Sequence, residues 1–212
     1  MNILVIAPHP DDEVLGMGGT IKKLSKKNKI VLCVVSEGAT AQYKDKKMIQ
    51  VRKDACRKCS KILGISKVIF LDFPDMKLNL SHLEINKKLE RIIHDFKPEV
   101  VYTSPKNDLN LDHQAVFDST LVACRPKSGV KKILCYEIPA STNWSGKLSQ
   151  PFNPTEFNVL SKKHLKKKFD AYSCYKDEVR PGNHPRSIDS LKSLAKYRGN
   201  SVGSEFAEAH VL

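Results

Sequence analysis

Apolar positions along the chain fall into two alternating rhythms. Short, mainly apolar runs at Ile3–Ala7, Ile30–Ser36, Lys67–Leu71, Val100–Thr103 and Ile133–Glu137 read as strands. Between them, Val14–Asn28, Lys46–Leu63, Leu80–Phe96 and His113–Cys124 carry apolar residues at helical spacing. In the first of these helices Val14, Met17, Ile21, Leu24 and Asn28 share one face, and Lys22, Lys23, Lys26 and Lys27 are expected to face water. Gly16, Gly18 and Gly19 lower its helix propensity, which points to a close approach to the sheet or to a ligand. This strand–helix alternation predicts an α/β fold with a doubly wound, mostly parallel sheet flanked by helices.

After about Pro139 the pattern loosens. Ser141–Pro154 reads as a long surface loop, Phe157–Tyr175 as a helix around a lysine cluster, and Pro181–Pro185 as a turn. Ser187–Tyr197 reads as a last helix with Ser187 as its N-cap. The 212 residues suit one domain, with a core over about 1–138 and a C-terminal elaboration over about 139–212.

Charge and cysteine content refine this outline. The formal net charge is +13, with lysine clusters at Lys22–Lys29 and Lys162–Lys168. Such a field favours an anionic small substrate over a neutral one. The aromatic and glycine-rich signatures of nucleic-acid binding are missing, so nucleic acid is not expected as a partner; only the Lys162–Lys168 run argues for a nucleic-acid or anionic-surface contact. The six cysteines form no disulfide framework, and Cys56-x-x-Cys59 lies inside a helical pattern with no second pair to complete a zinc site. No window is long and apolar enough for a transmembrane helix, and acids follow the N-terminal apolar run at once, unlike a signal peptide. A cytoplasmic protein is expected, with helix faces that leave room for a homo-oligomer.

The chemistry concentrates in Ala7-Pro8-His9-Pro10-Asp11-Asp12-Glu13, in the turn between the first strand and its helix. Ligands of open parallel sheets bind at such carboxyl-terminal turns. Three acids there repel one another and are costly to bury, and a divalent cation would offset both costs. His9 and Asp12 are placed to share one metal. The stretch Asn107–His113 follows the fourth strand, so His113 completes a set of two histidines and one carboxylate if the first and fourth strands are neighbours. Asp11 is then the candidate general base. The plainer reading makes Asp11 or Asp12 a helix cap and Asp112 and His113 ordinary first-turn residues. Zinc suits the donor set best; iron, cobalt or nickel can also occupy it, and magnesium on carboxylates is a further alternative.

Ala-Pro-His-Pro-Asp-Asp-Glu followed by Leu-Gly-x-Gly-Gly-Thr resembles the opening motif of the PIG-L/LmbE family of zinc-dependent N-deacetylases. The resemblance extends over most of the chain, through Arg52, Pro74-Asp75 and Asp112-His113, and weakly to Arg198-Gly199 and Ala207-Glu208. It implies a Rossmann-like sheet and hydrolysis of an N-acetyl group from an N-acetylhexosamine-type sugar, nucleotide sugar or glycoside. It also implies His9, Asp12 and His113 as metal ligands, Asp11 as general base and Asp112 as a supporting acid. Arg52 and Asp75 match positions that contact the sugar; as plain residues they read as a surface ion pair and a turn cap. One position departs from the family: Asn110 stands where many members carry a histidine that stabilises the oxyanion. Asn110 can donate a hydrogen bond there but cannot deliver a proton. Asp11 or His184 is then expected to supply the proton, with His184 also a candidate substrate contact. A homologue that binds metal and sugar with little or no catalysis is the alternative reading.

Overall fold

Strand β1 (Asn2–Ala7) sends Ile3, Val5 and Ala7 to one face of the sheet and Leu4 and Ile6 to the other. Both faces are covered by helices, which is why the run is apolar throughout rather than alternating. The molecule, a computed structural model, is described over residues 1–145 and 150–212; the predicted loop Ser141–Pro154 falls partly outside these. The other elements in chain order are α1 (Asp12–Leu24), β2 (Lys29–Ser36), α2 (Lys47–Leu63), β3 (Lys67–Phe73), α3 (His82–Phe96), β4 (Val100–Thr103), α4 (Leu111–Ala123), β5 (Lys132–Tyr136), β6 (Glu156–Leu160), α5 (Lys162–Tyr172), α6 (Ile188–Asn200) and β7 (Phe206–Val211).

Among the described residues these strands form one sheet in the order β3-β2-β1-β4-β5-β7-β6. The five predicted strands are parallel neighbours, and β1 pairs with both β2 and β4. Chain order therefore reverses between β1 and β4, which opens a crevice at their carboxyl ends. Helices α1, α2 and α5 pack on one face through Val14, Met17, Ile21, Cys56, Leu63 and Tyr172. The opposite face is covered by α3 and α4 through Ile85, Leu89, Ile93 and Val116.

The C-terminal part corrects the sequence reading. Phe157–Tyr175 is not one helix: Glu156–Leu160 is an edge strand, and the helix begins only after the Ser161 cap. Strand β7, which the pattern did not reveal, runs antiparallel to both β5 and β6, so the C-terminal elaboration completes the same sheet. Residues 206–210 are all buried, and two of them, Glu208 and His210, are polar, so β7 lacks the continuous apolar run of a buried strand. Ser187 does cap α6, accepting the Ser190 N–H. Helix α1 starts two residues earlier than predicted and stops at Leu24. Lys26 and Lys27 are exposed, but Lys22 and Lys23 reach back to the carbonyls of Ile62 and Val159. Gly16 and Gly19 do mark a close approach: a Cβ on either would collide with Tyr136 or Leu160.

Candidate metal centre

The turn after β1 and the N-terminus of α4 meet across the β1–β4 crevice. His9 Nδ1, Asp12 Oδ2 and His113 Nε2 form a near-equilateral triangle, with separations of 3.3 Å between the two imidazoles, 3.4 Å for His9–Asp12 and 3.3 Å for His113–Asp12. Tetrahedral ligands about 2.0–2.1 Å from a zinc ion stand roughly 3.3–3.4 Å apart, so the triangle has the dimensions of three such ligands.

The second nitrogen of each ring explains its orientation. His113 Nδ1 faces Asp108 Oδ1 at 3.1 Å. His9 Nε2 faces Asp75 Oδ1 and Asp112 Oδ2, each at 3.1 Å. A carboxylate at the far nitrogen holds the proton there and leaves the near nitrogen's lone pair free for a metal. His9, Asp75 and Asp112 also lie close enough together to be considered as a ligand set. Asp112 also accepts the backbone N–H groups of Met76 (2.8 Å) and Leu78 (2.9 Å), as Asp12 Oδ2 accepts that of His9 (2.9 Å). Both Asp75 and Asp112 face the far nitrogen of His9, on the side away from Asp12 and His113.

Five aspartates, Asp11, Asp12, Asp75, Asp108 and Asp112, are buried around two histidines. Burial alone would lower the His9 pKa, but hydrogen bonds to Asp112, Asp12 and Asp75 carry it well above its ordinary value. Burial likewise opposes protonation of His113, yet the charge of Asp12 and the hydrogen bond to Asp108 raise it to about 9. Burial would raise Asp12, but His113 and His9 hold it well below the usual carboxylate range. The same excess of buried negative charge that raises both imidazoles is what a dication at the triangle would offset. The donor set and its dimensions fit a divalent metal.

Asp11 stands beside this triangle in a left-handed backbone conformation (φ 115°), uncommon for a residue with a side chain. Its Oδ2 is buried and accepts no hydrogen bond, with Arg52 Nη2 and Arg186 Nη1 each 3.6 Å away. Burial raises the Asp11 pKa to about 7 against the pull of both guanidiniums. Arg52 is buried rather than exposed. It pairs with buried Glu178 and donates to the Pro10 carbonyl at 2.8 Å, bracing the turn from behind. Glu13 supports the same turn: it accepts the Asp11 N–H at 3.1 Å and the Tyr175 hydroxyl at 2.9 Å.

A cleft of about 570 Å³ opens beside this centre, with Met76, Asn110, Ser141, Trp144, His184 and Arg186 in its wall. Asn110 caps α4, its Oδ1 accepting the Asp112 N–H at 2.8 Å. That bond leaves the Asn110 amide N–H groups as its remaining donors. His184 packs edge-on against Trp144 at 5.5 Å and accepts the Arg186 N–H on Nδ1. Its pKa is depressed by burial and by Arg186 and Arg180.

Sequence reasoning did not assign roles to Asp108, Glu178 or Arg186. Asp108 gathers His113, the hydroxyls of Ser141 (3.0 Å) and Thr142 (2.8 Å), and the Asn110 N–H. Glu178 joins the two arginines that flank Asp11. The proximity of Asp108 to Asp112-His113 in the chain could have signalled the role of Asp108; it carries no signal for Glu178 or Arg186. The cysteines are all free, and burial pushes the Cys56 and Cys59 thiols up, so this pair has the character of core residues. The two lysine clusters converge on His164, whose pKa is lowered by burial and then by Lys26, Lys23, Lys163 and Lys22. Lys168, however, turns inward and leaves this surface.

The profile described as PIG-L: GlcNAc-PI de-N-acetylase matches residues 4–124. The chain is 34% identical to the uncharacterized deacetylase YaiS of Escherichia coli over 155 residues, 71% of this chain and 80% of that protein. It is 31% identical over 104 residues to the diacetylchitobiose deacetylase of Thermococcus kodakarensis, which covers 47% of this chain and 39% of that protein. The zinc-inhibited form of teicoplanin deacetylase Orf2 shares the fold, with a TM-score of 0.83, 16% identity, and coverage of 99% and 97% of the two chains. With its opening motif matched and its two motif-bearing turns brought together, the chain belongs to the PIG-L family of de-N-acetylases.

Proposed function

We propose that the chain is a metal-dependent N-deacetylase that releases acetate from an N-acetylhexosamine-type sugar, nucleotide sugar or glycoside. The observation that carries this reading is the His9–Asp12–His113 triangle, with a carboxylate behind each imidazole and beside it an Asp11 oxygen that accepts no hydrogen bond among the described residues. Family membership and the names of the relatives support the acetylated sugar. Zinc is our assignment for the metal, since two imidazoles and one carboxylate suit it. When bound, it supplies Lewis-acid polarisation of the amide carbonyl and a lowered pKa for water.

The chain's own residues supply the remaining steps. Asp11 accepts the proton of the attacking water on Oδ2, which lies in ion-pair range of Arg52 and Arg186 but accepts no hydrogen bond. The Asn110 amide donates to the oxygen that gains charge as the amide carbon becomes tetrahedral. Asp11 then returns the proton to the departing amine as the C–N bond breaks, giving acetate and the free amino sugar. The depressed pKa of His184 disfavours it as the proton donor and suits it to a substrate hydrogen bond. Asp112 and Asp75 hold His9, and Arg52 holds the Asp11 turn; direct sugar contact by Arg52 or Asp75 would add to these roles. Arg180, Arg186 and the net positive charge support an anionic group on the substrate. The free cysteines support a cytoplasmic location, and among the described residues no helix is long and apolar enough to cross a membrane.

The test is metal analysis of the purified protein, followed by an acetate-release screen of N-acetylated sugars and nucleotide sugars. Acetate release that is abolished by a chelator, restored by zinc and lost in Asp11→Ala supports the reading. Bound zinc with no acetate release across the panel would instead mark a binding protein.

A further inference from the structure

Helix α1 is broken. Met17 leaves helical geometry (φ −143°, ψ 25°), so the first turn, which carries Asp12, is a separate stub joined to the rest of the helix. In an uninterrupted helix the Gly19 N–H would bond the Leu15 carbonyl, and Thr20 that of Gly16. Instead an ion pair is inserted at the break. Lys168 Nζ donates to the Leu15 carbonyl at 2.8 Å, while Glu208 accepts the N–H groups of Gly19 (3.0 Å) and Thr20 (2.6 Å). Lys168 and Glu208 bond each other at 2.7 Å, and both are about 4% exposed.

A buried ion pair is weak support for stability, because desolvation offsets most of its attraction. Here the pair fixes geometry. The negative end of the stub meets an ammonium, and the positive start of the resumed helix meets a carboxylate. The pair comes from α5 and β7: Lys168 lies 153 residues from Leu15 and Glu208 189 from Gly19. Gly18 and Gly19 leave room for it: a Cβ on Gly18 would lie 3.1 Å from Lys168 Cγ, and one on Gly19 3.3 Å from Glu208 Oε1.

We propose that Lys168 and Glu208 are positioning residues for the metal centre. They set the angle at which the stub delivers Asp12 to His9 and His113. This rests on the metal reading above. Neither residue touches the ligand triangle; they act through the backbone of residues 12–16.

The experiment is zinc affinity by competition with a chromogenic chelator, run beside thermal unfolding of the metal-free protein. The set is wild type, Lys168→Met, Glu208→Gln and Leu89→Ala. Leu89 is a core residue on the opposite face of the sheet, and its truncation lowers stability without touching α1. Lys168→Met and the isosteric Glu208→Gln are each expected to weaken zinc about 10–100-fold, the loss typical of outer residues around a metal. Leu89→Ala is expected to stay within twofold of wild type despite a lower Tm. If Lys168→Met does not fold, Glu208→Gln carries the test. Zinc affinities of the pair within twofold of wild type, or no weaker than that of Leu89→Ala, overturn the positioning role while leaving the metal site standing. A wild type that binds no zinc overturns the metal reading and this proposal with it.

Discussion

Gly38 offers a test of how tightly the metal turn is built into the fold. It follows β2 with φ +63°, and a Cβ there would lie 2.5 Å from Pro10 Cδ and 3.4 Å from Arg52 Nε. Gly38→Ala therefore carries two costs. A side chain in the left-handed region costs about 1–2 kcal/mol. Carbon atoms prefer separations of about 3.5–4.0 Å, so the methyl also forces a displacement of roughly 1 Å. Pro10 is a rigid ring between His9 and Asp11, and its carbonyl is held by Arg52, so this overlap adds about 1–3 kcal/mol of overpacking. The sum, about 2–5 kcal/mol, lowers Tm by on the order of 10 °C at this chain length. A shift of roughly 1 Å also exceeds the approximately 0.2 Å tolerance of metal–ligand distances, so zinc affinity is expected to fall at least tenfold. Gly129→Ala is the control: φ is +83° there, but nothing lies within 4 Å, so only the conformational strain applies. Calorimetry and zinc competition on both variants separate the two costs. Equal Tm and equal zinc affinity in the two variants would refute the claim that the β2–α2 loop is packed against the metal turn.

Further outcomes follow from individual contacts. Asp108→Ala removes the acceptor behind His113 Nδ1 and is expected to weaken zinc about 10–100-fold in a chelator competition while the protein still folds. Asp11→Asn is expected to keep zinc by metal analysis and to lose about 10²–10⁴ in kcat for acetate release; a full rate would remove Asp11 as the base. His210 is buried in β7, and its pKa is lowered by burial from 6.5 to about 4, so the folded state resists its protonation. Its contribution to stability is complete above about pH 6.5 and declines as pH falls toward 4, at about 1.4 kcal/mol per unit and about 3 kcal/mol in all. Denaturant titrations of wild type and His210→Leu between pH 7.5 and 4.5 should therefore show a shallower acid loss in the variant; parallel curves would contradict the burial argument.

The legible parts of the fold were those with one local cause. Strands β1 to β5 are parallel and mostly interior, so their apolar runs stand out in the sequence. Strands β6 and β7 lie beyond β5, and the buried polar residues of β7 serve distant partners: Glu208 receives α1 and Lys168. No window containing β7 alone records that. The same distinction runs through the site. His9, Asp12 and His113 were readable because each lies in a motif after a strand, and the β1–β4 pairing supplies their meeting. Asp75 was readable only as a matched position; the structure brings it to His9 across the crevice. Glu178 and Arg186 lie more than 160 residues from Asp11, and nothing in their local sequence marks them as its neighbours.

Anomalous diffraction at the zinc edge from crystals of the zinc-loaded protein tests the central claim most directly. The account predicts one strong peak bounded by His9 Nδ1, Asp12 Oδ2 and His113 Nε2. A peak among His9 Nε2, Asp75 and Asp112 instead, or no peak in the crevice, would contradict it.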